Sequence, residues 1–259
     1  MSSILALFKH AIHRGIVPTI SLASQRVFNF FRTGYLHTGE RVCLNYPNEI
    51  NEYHMNVYAF LQQFAVGRNV LDVGCGTGYG SAILARSAKA VTAIDYSWFA
   101  VRYAVRHYGA PNINFSVMLA DELRFDDQSF DLVLSCEVFE HLPNQDLHLR
   151  EVARVLKPDG LCFIATPNPE STQGTNAFHL KENSYRELLD LLGRHFKRIA
   201  ILETTLDPPT KELRDQREAR IRAGLIGLPP KAPLSLFGMQ VDTTHLNTRQ
   251  SFFCFAKIA

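Results

Sequence analysis

From residue 68 onward, short apolar runs alternate with stretches whose apolar residues recur at helical spacing. Arg68–Val73, Ala90–Asp95, Asn112–Val117, Phe130–Ser135 and Gly160–Thr166 are short, continuous and apolar, the pattern of strands buried on both faces. Between them, Tyr79–Ala88, Trp98–Tyr108 and Gln145–Leu156 read as helices. In the last of these, Leu149, Val152, Ala153 and Leu156 fall at i, i+3, i+4 and i+7 and form one apolar face. Pro158 cannot continue that helix, and Asp159-Gly160 predicts a turn into the next strand. Strands and helices alternating in this way predict a parallel sheet covered by helices on both faces.

Further along, Tyr185, Leu188, Leu189 and Leu192 repeat the helical spacing, and Arg198–Leu202 and Ser251–Ile258 read as two closing strands. The insert between them, 205–249, is far longer than the usual connection of a few residues. It holds a charged helix candidate, Lys211–Arg222, and a Pro-rich stretch, Gly227–Pro233. Because Glu212, Asp215 and Glu218 alternate with its basic residues, the helix predicts a solvated face, not a nucleic-acid patch. No internal repeat or low-complexity tract is present.

Composition adds exclusions. With 259 residues, 46% hydrophobic and 20% charged, the chain is globular and not disordered, collagen-like or coiled-coil. No apolar run approaches the roughly 20 residues that span a bilayer. A net charge of +2 is too small to argue for nucleic acid over the whole surface, so a small-molecule partner is expected. The five cysteines (Cys43, Cys75, Cys136, Cys162 and Cys254) form no CxxC pair, which fits neither a disulfide framework nor a thiolate zinc site. A reducing, cytoplasmic setting is the expectation.

The charge is uneven. No acidic residue precedes Glu40, whereas Lys9, Arg14, Arg26 and Arg32 are all basic. Lys9 and His10 interrupt the early apolar stretch, which makes it a poor secretory signal. Three uses remain open: a mitochondrial presequence if the source is eukaryotic, a peripheral membrane contact through residues 1–32, or a lid on the following domain. The expected division is an N-terminal arm at 1–50 and a catalytic domain at 51–259.

The strongest chemical signal is Asp72-Val73-Gly74-Cys75-Gly76-Thr77-Gly78, where a buried strand enters a glycine-dense turn and then a helix. Glycines there let the backbone approach a ligand closely, and the helix start offers N–H groups to an anion. The spacing departs from the GxGxxG of dinucleotide-binding turns. Asp95 ends the next strand, where a carboxylate accepts from two ribose hydroxyls. At these residues the sequence resembles the class I S-adenosylmethionine (SAM)-dependent methyltransferases. Five motifs carry the resemblance in order: DVGCGTG (72–78), AIDYS (93–97), Ala120-Asp121-Glu122, FDLVLSCEVFEHL (130–142) and RVLKPDGLCFIATPN (154–168). It covers roughly Glu40 to Phe196 and implies a Rossmann-like α/β fold: a seven-stranded, mostly parallel sheet with one antiparallel closing strand. It further implies that Gly74, Cys75, Gly76 and Gly78 hold the methionine part of SAM and that Asp72 orients this turn and the ligand's amino group. By the same resemblance Asp95 binds the ribose, Tyr96 flanks the adenine, Asp121 accepts from the adenine amino group, and Cys136 touches SAM through its backbone.

Strand four leads into Cys136-Glu137-Val138-Phe139-Glu140-His141. As one helical turn, this segment would set Glu137, Glu140 and His141 on a shared face at i, i+3 and i+4. With the distant His179, the pattern is similar to the metal-binding set of small-RNA 3′-end 2′-O-methyltransferases and looks like that of ubiquinone-biosynthesis O-methyltransferases. A divalent cation (Mg, Mn, Fe, Co or Zn) would lower the pKa of a bound hydroxyl and align one oxygen of a vicinal diol for attack. Glu-His after strand four also suits metal-free relatives, with His141 as general base or in a packing role. The expected reaction is methyl transfer to a hydroxyl of a sugar, phenol or other small molecule, with RNA 2′-O-methylation as the alternative. Thr38-Gly39-Glu40-Arg41 and Glu52-Tyr53-His54 resemble the entry segment of bacterial methyltransferases found with glycan and natural-product pathways; His54 or Tyr53 reads either as a residue lining the substrate mouth or as an ordinary helix residue, and the second is the expectation.

Overall fold

The computed structural model describes residues 49–169, 176, 178–204, 234–241 and 251–259. The N-terminal arm, the charged helix candidate Lys211–Arg222 and the Pro-rich stretch Gly227–Pro233 lie outside the described residues. The elements run α1 (Glu49–Ala65), β1 (Asn69–Val73), α2 (Tyr79–Ala85), β2 (Ala90–Asp95), α3 (Trp98–Tyr108), β3 (Ile113–Val117) and β4 (Phe130–Cys136). A 3₁₀ turn (Phe139–His141), α4 (Gln145–Val155), β5 (Leu156–Pro167), α5 (Tyr185–Gly193), β6 (Arg198–Thr204), β7 (Leu234–Leu236), β8 (Met239–Val241) and β9 (Ser251–Lys257) complete the order.

Seven strands form one sheet in the order β3-β2-β1-β4-β5-β9-β6. The pairs β1–β2, β2–β3, β1–β4 and β4–β5 are parallel. β9 is the antiparallel strand, and it slots between β5 and β6, pairing with both. The last strand in sequence is thus interior to the sheet. Its sequence explains the placement: Ser-Phe-Phe-Cys-Phe-Ala is buried at every position, as a strand covered on both faces requires.

Alternation along β9 divides the core into two layers. Phe253 and Phe255 face Phe60, Phe64 and Phe163, on the side covered by α1 and α2. Phe252, Cys254 and Ala256 face Leu149, Val152, Leu188 and Leu192, on the side of α4 and α5. The helix starts are capped in sequence: Ser97 accepts from Ala100 N–H, Asn144 from Leu147 N–H, and Ser184 forms a reciprocal capping box with Glu187.

Two places depart from the sequence pattern. Strand five begins at Leu156, directly after α4, instead of at Gly160. The predicted Pro158-Asp159-Gly160 turn becomes a bulge inside that strand, since the register jumps from Phe130↔Leu156 to Leu132↔Leu161. Gly160 is required there because a Cβ would come within 2.6 Å of Leu156 Cδ1. The insert also contains a hairpin that periodicity did not reveal. Its turn, Phe237-Gly238, has φ of 51° and 84° at its two residues, the pattern of a type I′ turn.

Phe255 is fully buried, with its ring centroid 5.0 Å from Phe163, 5.8 Å from Phe64 and 6.2 Å from Phe60. Phe255→Ala is expected to lower unfolding free energy by about 3–5 kcal/mol. Urea denaturation checks this; a loss below about 1 kcal/mol would mean that β9 is not a central strand.

Candidate functional site

All the carboxyl ends of the parallel strands lie along one edge of the sheet, and the residues singled out by the sequence sit there. Gly74, Gly76 and Gly78 have φ of 74°, 55° and 88°, so each occupies a conformation that side chains oppose. They serve different purposes. A Cβ on Gly78 would meet Ala104 Cβ at 2.6 Å, and one on Gly74 would meet Val138 Cγ2 at 2.3 Å. A Cβ on Gly76 would have nothing within 4 Å. Gly74 and Gly78 therefore let neighbouring segments close in, whereas Gly76 borders open space.

Two aspartates flank the turn. Asp95 Oδ2 accepts from Gly76 N–H at 3.0 Å and Oδ1 from Ser97 N–H at 2.8 Å, which ties the end of β2 to the glycine turn. Asp72 is fully buried on β1; Tyr58 of α1 donates to Oδ1 at 3.0 Å and Ser81 of α2 to Oδ2 at 2.6 Å. Burial raises its pKa from 3.8 to about 6, against the lowering effect of those two hydroxyls. Tyr96 follows Asp95 and is largely exposed. Asp121 lies in the loop after β3, whose Ala120 carbonyl accepts from Nδ1 of the buried His148, 2.8 Å away. Cys136 is the last residue of β4, and burial pushes its thiol pKa up, so it is a neutral wall residue. Among the described residues, the set fits SAM by its chemistry: a buried carboxylate, a second at the neighbouring strand end, and an open glycine between them.

The segment after β4 does not form the expected helical turn. Glu137 has φ of 53°, left-handed for a non-glycine residue, and only Phe139–His141 coil, as a 3₁₀ turn. This corrects the shared face predicted for Glu137, Glu140 and His141. Glu137 turns toward α1 and β9: Tyr53 donates to its Oε1 at 3.0 Å, and Ser251 Oγ lies 2.9 Å from the tyrosine oxygen. Glu140 is fully buried, and its Oε2 accepts from Thr166 Oγ1 at 3.0 Å.

Glu140, His141 and His179 each place one ligand atom so that the three lie within 4.8 Å of one another. Glu137 is outside this group. His141 Nδ1 lies 3.0 Å from the Phe178 carbonyl, which can only accept, so Nδ1 carries a proton and, in the neutral ring, Nε2 holds the lone pair. That Nε2 is 3.7 Å from Glu140 Oε1. His179 Nδ1 meets Glu182 Oε1, while its Nε2 lies 2.9 Å from Asn176 Nδ2. Asn176 Oδ1 accepts from Phe178 N–H at 3.0 Å, which fixes the amide with its NH₂ toward His179.

Residues 71–164 match the family model described as a methyltransferase domain. The chain carries a methyltransferase domain over these residues. It is similar to the "Probable S-adenosylmethionine-dependent methyltransferase" of Mycobacterium tuberculosis, 36% identical over 182 residues that make up 68% of this chain and 63% of that one. A Rhizobium etli protein named ubiquinone biosynthesis O-methyltransferase is 30% identical over 173 residues, covering 66% of this chain and 65% of that one. The chain thus spans a little under two thirds of these curated relatives. A crystal structure of a SAM-dependent methyltransferase from Archaeoglobus fulgidus shares the fold, with a TM-score of 0.54, 18% identity, and coverage of 79% of this chain and 94% of that one.

Sequence reasoning weighed Tyr53 for the substrate mouth but expected an ordinary helix residue, and it did not identify Tyr58, Thr166 or Ser251 as site residues. Tyr53 and Tyr58 are buried on α1 and each donates to a site carboxylate. For Tyr58, its place in an apolar helix was the one signal available, and it reads equally well as packing.

Two predictions follow from this geometry. Because the folded pKa of Asp72 lies above its unfolded value, its contribution to stability is complete below about pH 3.8 and is lost as pH rises through about 6. Asp72→Asn is therefore expected to flatten the dependence of unfolding free energy on pH between about 4 and 6, as read by urea denaturation at several pH values. Separately, Gly74→Ala pushes on Val138 as well as straining its own φ, and is expected to cost about 2–4 kcal/mol. Gly76→Ala adds only the φ strain, about 1 kcal/mol, but puts a methyl group into the crevice. Thermal unfolding combined with SAM calorimetry should show Gly76→Ala losing ligand with the fold retained.

Proposed function

We propose that this domain transfers a methyl group from SAM to a hydroxyl of a small molecule, with His141 removing the acceptor's proton. The contact between Gly74 and Val138 carries this reading: it sets the segment bearing Glu140 and His141 directly against the glycine turn. Donor cradle and basic side chain are therefore neighbours. Asp72, Asp95 and the turn at 74–78 would hold SAM, which supplies a methyl carbon already activated by the sulfonium.

The chain's own residues do the rest. His141 is held in the Nδ1-protonated form by the Phe178 carbonyl, which points its basic Nε2 toward Glu140. Proton abstraction by Nε2 creates an imidazolium, and the adjacent buried Glu140 carboxylate stabilises that charge. A hydroxyl needs this help because alcohols and phenols are poor nucleophiles at neutral pH. Glu137, fixed by Tyr53 and Ser251, forms the other acceptor-side carboxylate. The O-methyltransferase name of the Rhizobium etli relative supports an oxygen acceptor.

A second reading is favoured by the convergence of Glu140, His141 and His179 within 4.8 Å. One carboxylate and two imidazoles suit a divalent transition metal, and Glu182 and the Phe178 carbonyl hold the outer nitrogens of both rings, as partners of metal-bound histidines do. A cation there would polarise the acceptor hydroxyl. His179 would join by exchanging its hydrogen bond from Asn176.

Labelled-methyl transfer from SAM into fractionated lysate, with and without chelator, tests both readings. His141→Asn is expected to lower turnover by about 10²–10⁴-fold with SAM affinity intact. Asp95→Asn is expected to weaken SAM binding by about 10–100-fold. Undiminished turnover after exhaustive chelation assigns the step to His141 as a metal-free base; turnover lost on chelation and restored by Mn²⁺ or Zn²⁺ assigns it to the cation. Failure to bind SAM would overturn the methyltransferase reading itself.

A further inference from the structure

Helix α3 and the sheet's outer strand β3 enclose a groove of about 510 Å³ that the chemistry above does not use. Trp98, Arg102, Val105, Arg106, Phe115 and Val117 line it. Three of these apolar side chains are strongly exposed: Trp98 at 52%, Val105 at 54% and Val117 at 49%. The Arg102 guanidinium carbon sits 5.0 Å from the centroid of the Trp98 ring, a cation–π arrangement that holds the indole at the surface. From Tyr96 to Ala120 there is no acidic residue, while Arg102, Arg106 and His107 are basic.

We propose that this face docks the protein on an anionic lipid bilayer. An indole stacked under an arginine, between exposed valines, matches the layered chemistry of a headgroup boundary: acyl chain below, indole at the interface, phosphate above. Arg102 and Arg106 meet the lipid phosphates, and no carboxylate of the 96–120 stretch opposes them. Single-stranded nucleic acid fits less well. Valines offer bases no stacking surface, and two arginines make no continuous phosphate track. The patch begins directly after Asp95, so docking brings the crevice edge to the lipid surface. This contact does not rest on the methyl-transfer reading.

Trp98 is the sole tryptophan, so the emission of the full chain reports this face alone. Vesicles of phosphatidylcholine with phosphatidylglycerol should shift that emission to the blue, brominated acyl chains should quench it, and pure phosphatidylcholine should do neither. Arg102→Glu combined with Arg106→Glu should weaken the response at least tenfold, because each cation at an anionic surface is worth a factor of about five. Circular dichroism checks that the variant is folded, and high salt should release the wild type. Vesicle binding with unmoved Trp98 emission overturns the proposal by placing the contact elsewhere. So does a shift unaffected by the two substitutions, one that follows protein concentration without lipid, or one produced by a single-stranded oligonucleotide and not by vesicles.

Discussion

A fully buried carboxylate with two hydroxyl donors and no cationic partner among its hydrogen bonds holds the ligand edge together. Asp72 leaves β1 just before the glycine turn and is gripped by Tyr58 from α1 and Ser81 from α2. Burying a charge in this way opposes folding, as the raised pKa of Asp72 shows. A carboxylate held by neutral donors retains appetite for a cation, and the amino group of SAM would supply one. The same two bonds set the positions of the helices on either side of the turn. Gly80 is part of this arrangement, because a Cβ there would meet the Tyr58 ring at 2.3 Å.

Much of this was legible in the sequence because strands buried on both faces write continuous apolar runs. The parallel strands and their helices fell close to the expected positions, and the departures have local causes. The bulge at Pro158-Asp159-Gly160 looks like a turn in sequence, since a bulge and a turn use the same residues; only the pairing with β4 tells them apart. The interior position of β9 was less accessible, because pairing partners far apart in sequence leave no local mark. The β7–β8 hairpin turns on Phe237-Gly238, and a phenylalanine at positive φ is not a turn signal that composition offers.

The site divides along the same line. Residues that act through backbone geometry or strand position, the glycines and the two aspartates, stand out in the sequence by their spacing together with the family resemblance. Those that act through long-range contact do not. Tyr53 lies 84 positions from Glu137 and 198 from Ser251, yet the three side chains meet. The left-handed backbone at Glu137 had no sequence signal, and it is why a helical reading of the segment fails: one residue out of register turns its carboxylate toward α1 and leaves Glu140 and His141 to converge with His179.

Helix α1 therefore has a role that the family match at 71–164 does not contain. Its two tyrosines hold Glu137 and Asp72, the acceptor-side and donor-side carboxylates of the proposed reading, so a displacement of this helix would loosen both together. Burial holds both phenols well above their ordinary pKa, which keeps them as donors over the whole physiological range. The two bonds differ in what surrounds them. Asp72 is sealed, whereas Glu137 is only half-buried and Ser251, its other neighbour, belongs to the strand that follows the insert. A displacement at the start of β9 would thus reach Glu137 through Ser251 while leaving the two bonds of Asp72 in place. On the proposed reading, that separation would let acceptor preference vary on a constant SAM site, with specificity set by α1 and the start of β9, and donor binding by the ends of β1 and β2.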